Sequence, residues 1–122
     1  MSPPRFLLDT NVANGYLDGR EPVRVLVDAH NAVPADSAIS QITRIEMLSY
    51  WALSSAEESK IRRFLSAVTV ILLDEIIERE AIAFRRRTRM KLPDAVIAAT
   101  ARVHGLQLLT LDERLDAAFQ AG

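Results

Sequence analysis

Short apolar runs alternate with helical patterns along these 122 residues, and that alternation narrows the fold more than any other feature. The runs at 5–8, 37–39, 68–73 and 106–111 are too short for core helices and are dominated by aliphatic residues, as buried strands are. Between them lie helical stretches. A short one at 12–17 is broken by Asp18-Gly19, and another at 22–31 closes before Pro34. A third is predicted over 41–53, and a fourth runs from Ser54 or Ser55 to 67, where Ser54 and Glu57 have capping-box spacing. Asp74 starts a helix reaching about 89, acidic at its front and basic at its end. Pro93 restarts helix, and Gly105 stops it. Strands that alternate with helices need crossover connections, so the expected architecture is α/β: a parallel sheet in the middle layer with helices on both faces.

No repeat, low-complexity tract or long linker divides the chain, and a polypeptide of this length buries about two-thirds of its unfolded surface, so a single domain over 1–122 is expected. With 49% hydrophobic and 25% charged residues the chain has the balance of a globular domain rather than a disordered one. Zero cysteines exclude disulfides, thiolate zinc sites and cysteine nucleophiles. The stretch 67–73 is far below the ~20 apolar residues that span a bilayer, and Met1-Ser2-Pro3-Pro4-Arg5 leads into three apolar residues before Asp9. The expectation is a cytoplasmic protein with no membrane contact. A net charge of -1 means that any affinity for nucleic acid must come from a local patch rather than the whole-molecule field.

Four acids then stand out. Asp9 ends the first apolar run and Asp112 the last, so in a parallel sheet both project to the edge where α/β folds bind ligands. Asp94 opens a helix, and Glu46 flanks the apolar stripe of Ile42, Ile45, Ser49, Ala52 and Leu53. A carboxylate pushed toward a core needs a cation, a set of donors or a proton. Gathered acids repel one another, and hard divalent cations held by carboxylate oxygens relieve that repulsion while activating water for phosphodiester hydrolysis. In this reading Asp9 and Asp94 bind the primary ion. Glu46 and Asp112 complete the shell, directly or through water, with one ion or two.

Four segments carry a family resemblance: Phe6-Leu7-Leu8-Asp9-Thr10-Asn11-Val12, Ser40-Gln41-Ile42-Thr43-Arg44-Ile45-Glu46-Met47, Leu92-Pro93-Asp94-Ala95-Val96-Ile97-Ala98-Ala99-Thr100-Ala101 and Leu108-Leu109-Thr110-Leu111-Asp112. In this order they resemble the PIN domain, and within it the VapC-type ribonuclease toxins of toxin-antitoxin pairs. The resemblance covers nearly the whole chain. It implies a three-layer PIN-like fold with four or five parallel strands, the fifth being in question because only a short segment follows Asp112. It also implies a Mg2+- or Mn2+-dependent endoribonuclease acting on RNA. Asp9, Glu46, Asp94 and Asp112 are the implied acidic quartet, with Thr10, Asn11, Thr43 and Thr110 as supporting polar residues. A cognate antitoxin and a homodimer are the implied protein partners.

Each feature also has a plain structural account. Asp9 serves as a strand-end turn residue, Asp94 complements the dipole of the helix behind Pro93, Asp112 caps the last helix, and Glu46 sits half solvated beside an arginine. Arg85, Arg86, Arg87, Arg89 and Lys91 form the one dense cationic cluster, suited to RNA phosphates and equally to the C-terminal end of a helix dipole. Met47 and Trp51, four apart in the predicted 41–53 helix, form a second apolar stripe that is either an interface or covered by the helix from Ser54. A phosphoacceptor receiver domain fits less well, because paired acids after the first strand and a lysine after the last are lacking. A haloacid-dehalogenase-type phosphatase would want Asp where Asn11 stands. The alternative function is a non-catalytic PIN-fold module that binds RNA or protein.

Overall fold

The computed structural model describes residues 3–122; Met1 and Ser2, part of the expected 1–122 domain, lie outside the described residues. Four strands, β1 (Phe6–Leu8), β2 (Ser37–Ser40), β3 (Thr69–Ile71) and β4 (Gln107–Leu109), form one sheet in the order β3-β2-β1-β4. Every pairing is parallel. Seven α-helices connect and cover them: α1 (Thr10–Leu17), α2 (Glu21–Ala29), α3 (Gln41–Leu48), α4 (Ser55–Ala67), α5 (Glu75–Thr88), α6 (Leu92–Val103) and α7 (Glu113–Ala121), with a 3-10 turn at Pro34–Asp36.

Alternation along the central strand creates the three layers. Leu7 belongs to a cluster with Ile77, Phe84, Ile97 and Leu115 from α5, α6 and α7. Phe6 and Leu8 point the other way, into a cluster with Val12, Val23, Val27, Ile61 and Phe64 from α1, α2 and α4. Successive side chains of a strand leave opposite faces, so β1 feeds both cores. Helix α6 is buried without interruption from Ala95 to Ala101, and its alanines let it lie close against the sheet. Gly105, with φ of 65°, takes the left-handed conformation that turns the chain out of α6 toward β4.

Strand order reverses at β1: the chain runs outward through β2 and β3, then returns to place β4 on the opposite side of β1. The crevice beyond the C-terminal ends of β1 and β4 is therefore the switch point at which ligands bind in such sheets.

Three expectations are corrected. The helix expected over 41–53 ends at Leu48, with Ser49 as its cap. The Ser49 hydroxyl donates back to the Ile45 carbonyl, and a turn closed by Leu53 N–H donating to Tyr50 O leads into α4. Ile45, assigned to the core stripe, is 51% exposed. The Met47/Trp51 stripe does not exist as one surface, because Met47 is 3% exposed in the core beside Ile61 and Phe64 of α4, whereas Trp51 lies past the helix end and is 90% exposed. The expected four strands are all present among the described residues, and the segment after Asp112, where a fifth was in question, forms α7.

Candidate functional site

Parallel strands that run into helices deliver helix N-termini to one sheet edge; two of the four expected acids arrive there as caps of such helices, and a third opens a helix that follows another helix. Asp9 follows β1 and caps α1: its Oδ1 accepts from the Thr10 amide at 2.7 Å. Asp112 follows β4 and caps α7, its Oδ1 accepting from the amides of Arg114 (3.0 Å) and Leu115 (3.1 Å). Asp94 lies in the first turn of α6 behind Pro93. Glu46 comes from the middle of α3, which Ser40 starts by accepting from the Ile42 amide.

Threonines tie these acids together. The Thr110 hydroxyl donates to Asp9 Oδ2 at 2.7 Å and accepts from the Asp112 amide at 3.0 Å, joining the first acid to the last. Thr10 Oγ1 donates to Glu46 Oε1 at 2.6 Å and stands 3.0 Å from Thr43 Oγ1. Asn11 Oδ1 accepts from the Leu111 amide at 3.3 Å, fastening α1 to the segment after β4. Of the four polar residues expected to support the acids, Thr10 and Thr110 bond them directly, Thr43 reaches them through Thr10, and Asn11 bonds the neighbouring backbone instead.

The electrostatics show that the carboxyls share one neighbourhood. Burial raises the pKa of Asp9 above the ordinary carboxylate value, opposed by the hydrogen bonds from Thr110 and Thr10, and the charges of Glu46 and Asp112 raise it further. Asp94 is raised by burial first, then by Asp9 and Asp112, with Lys91 pulling it down and Glu46 adding a smaller upward push. Asp9 and Asp94 therefore both feel the charges of Glu46 and Asp112.

They do not form a closed cage. Among the described residues, no three acidic or histidine side chains converge closely enough to enclose an ion by themselves. The free valences are unevenly spread. Among the described residues Asp94 accepts no hydrogen bond, Glu46 has Oε2 uncommitted, and Asp112 has Oδ2 uncommitted. This donor set suits a hard cation that takes one or two carboxylates directly and keeps water in its remaining positions, the habit of Mg2+. A thiolate- or imidazole-seeking metal has no ligands here.

The cationic cluster divides on inspection. Arg85 Nε donates to the Met90 carbonyl at 3.2 Å and braces the α5–α6 turn, while the Arg87 guanidinium lies 5.2 Å from the Phe84 ring centre on its own helix. Arg86, Arg89 and Lys91 are exposed and their side chains carry no hydrogen bond among the described residues. Lys91 is also the cation that Asp94 feels.

One feature escaped sequence reasoning. A groove of about 500 Å³ opens beside Glu46, floored by Leu17, Met47, Leu53 and Ile61 and rimmed by Tyr50, Asp18 and Glu57. It exists because α3 stops early, and the apolar pattern that continues through Leu53 concealed that stop.

Comparison with known proteins agrees with this geometry. The family described as "PIN domain" matches residues 6–119. Ribonuclease VapC10 of Mycobacterium tuberculosis is 35% identical over 113 residues, spanning 88% of this chain and 82% of that protein. Among solved structures, a toxin-antitoxin complex from Klebsiella pneumoniae matches with a TM-score of 0.74 and 34% identity over 87% of this chain and 85% of that one. FitAcB from Neisseria gonorrhoeae matches with a TM-score of 0.76 over 94% and 93%; at 24% identity it speaks to the fold alone.

Proposed function

The chain belongs to the PIN-domain family and, within it, to the VapC-type ribonucleases, and on that premise we propose that it is a toxin that cleaves RNA internally at a Mg2+- or Mn2+-dependent acidic site. The observation that carries the reading is the hydrogen-bonded set at the switch point of the sheet, where Thr110 joins Asp9 to the Asp112 amide and Thr10 joins the cap of α1 to Glu46. A purely structural use of each acid does not require them to meet.

Asp94, with no competing hydrogen bond, and Asp9, held in orientation by Thr10 and Thr110, are the primary ligands in this reading. Asp112 and Glu46 act from the flanks, directly or through water. When bound, the divalent ion neutralises charge on the scissile phosphate and acidifies a water. Glu46 Oε2 orients the attacking water and accepts its proton, since Oε1 is occupied by Thr10. Lys91, Arg86 and Arg89 hold flanking phosphates, contacts that position RNA with little base discrimination.

The protein partners follow from surfaces of different character. The groove beside Glu46, apolar at its floor and acidic at Asp18, Glu46 and Glu57, suits an antitoxin segment that presents apolar and basic side chains, with Tyr50 and the exposed Trp51 at its edge. A second groove, between α5 and α6, is lined by Leu73, Ile82, Leu92 and Val96 with Glu78 and Arg85 at its margins. Opposite charges on either side of an apolar centre are self-complementary under a twofold axis, so this face suits a second copy of the chain.

The test uses purified protein freed of antitoxin, incubated with structured RNAs in Mg2+ or Mn2+. Asp9→Asn and Asp94→Asn are expected to lose cleavage by roughly 100-fold or more, the scale of removing one electrostatic stabiliser of a transition state. Cleavage that survives both substitutions or excess chelator rejects the mechanism, whereas no cleavage by the wild type leaves the non-catalytic binding module.

A further inference from the structure

Hydrogen-bond arithmetic around Thr10 assigns a role to a residue that touches neither ion nor substrate. Thr10 Oγ1 has two oxygen neighbours, Glu46 Oε1 at 2.6 Å and Thr43 Oγ1 at 3.0 Å. A hydroxyl carries one proton. The shorter distance lies in the range of a hydroxyl donating to a carboxylate, so the Thr10 proton points at Glu46. Thr10 Oγ1 is then an acceptor toward Thr43, and Thr43 must donate.

Thr43 itself is 0% exposed, so water cannot take that proton. Among the described residues Thr10 is its hydroxyl's one partner. The direction Thr43 to Thr10 to Glu46 is therefore enforced by burial at one end and by charge at the other. The relay spans 33 residues of sequence between Thr10 and Thr43 and clamps the start of α1 to the start of α3.

We infer that Thr43 is a positioning residue: its buried hydroxyl polarises Thr10, locks Glu46 Oε1 into an accepting role and leaves Oε2 as the only Glu46 oxygen open to the ion or its water. This rests on the acidic site proposed above. It goes further by stating that Glu46 engages through a single oxygen and that a residue outside the acidic set determines which one.

The experiment is Mn2+ titration by calorimetry of the antitoxin-free protein and of Thr43→Val, Thr43→Ser, Glu46→Gln and the Thr43→Val/Glu46→Gln double variant, with circular dichroism for the fold. Thr43→Val is expected to weaken Mn2+ binding about 10- to 100-fold, the range for removing an outer-shell partner of a ligand, and Thr43→Ser to restore it to within a few-fold. In the Glu46→Gln background Thr43→Val is expected to add nothing, because the path ends at Glu46. Should Thr43→Val not fold, Thr43→Ala and Thr10→Val replace it with the same expected weakening. Wild-type affinity in a folded Thr43→Val protein, or equal weakening by Val and Ser, overturns the relay while leaving the acidic site standing. Additive effects in the double variant overturn it as well. No Mn2+ binding by the wild type overturns the acidic site, and the relay with it.

Discussion

Asp94 and Asp9 both carry raised pKa values, yet amide substitution should affect them to different degrees in the metal-free protein. Asp94 gives up no hydrogen bond on becoming Asn and escapes the charges of Asp9, Asp112 and Glu46. Asp9 loses one of two acceptors, the one that takes the Thr110 proton or the one that takes the Thr10 amide. Asp94→Asn is therefore expected to stabilise the metal-free protein at pH 7 by roughly 0.5–1 kcal/mol, discounted for its partial exposure, and Asp9→Asn to gain less or nothing. A carboxyl whose folded-state pKa is raised opposes folding only once it ionises. The gain should vanish below about pH 3.8, the ordinary value, and grow as pH rises through the folded value. Thermal unfolding across that range checks it, and saturating Mg2+ should reverse the order by stabilising the wild type alone. Asp9, Asp94 and Asp112 were legible in the sequence because each follows an apolar run or opens a helix, and Glu46 because it flanks an apolar helical stripe. Their plain roles, capping by Asp9 and Asp112 and dipole compensation by Asp94, are also present. Both readings hold because parallel strands bring capping positions to one edge, where a cap becomes a ligand.

At the scale of elements, α1 and α2 cross at Gly15. A Cβ there would overlap Cγ2 of Val23, so Gly15→Ala sets a clash against a propensity gain. Glycine costs about 0.8–1 kcal/mol relative to alanine inside a helix, whereas overpacking costs typically 1–3 kcal/mol. The clash should win, giving a net destabilisation of about 1 kcal/mol in denaturant unfolding. Val23→Ala on top of it should return part of that stability, because it removes the overlapping methyls; an additive pair would refute the crossing as its source. Most elements were readable from periodicity and caps, the Ser54–Glu57 capping box among them. Helix α3 was not. Ala52 and Leu53 continue its apolar spacing, and no glycine or proline marks its end. What stops it is the Ser49 hydroxyl turning back to Ile45 together with the demand of Ser54 to cap a new helix.

For the whole molecule, the parallel sheet and three-layer plan followed from alternation, but the strand order and the two grooves depend on how distant elements meet and left no local signal. The self-complementary face between α5 and α6 predicts a dimer. Ile82 is 47% exposed there, so Ile82→Asp should leave the fold intact and yield a monomer in sedimentation. An unchanged mass would remove that interface. The cationic contribution to RNA binding is separable: replacing Arg86, Arg89 or Lys91 by Ala should weaken binding evenly across sequences and lower the salt slope by about one for each phosphate no longer neutralised. Arg85→Ala should disturb the α5–α6 turn instead, because it removes the bond to the Met90 carbonyl, with a smaller change in slope.

The bond from Thr110 to Asp9 closes a separation of 101 residues, and β4 lies directly beside β1. A nascent chain emerges N-terminal end first, so Asp9 can hold the neighbouring Thr10 amide but lacks its Thr110 donor until β4 and the residue after it have been made. The crevice between β1 and β4 is therefore a late feature of folding, and a chain released before β4 carries Asp9 without that anchor.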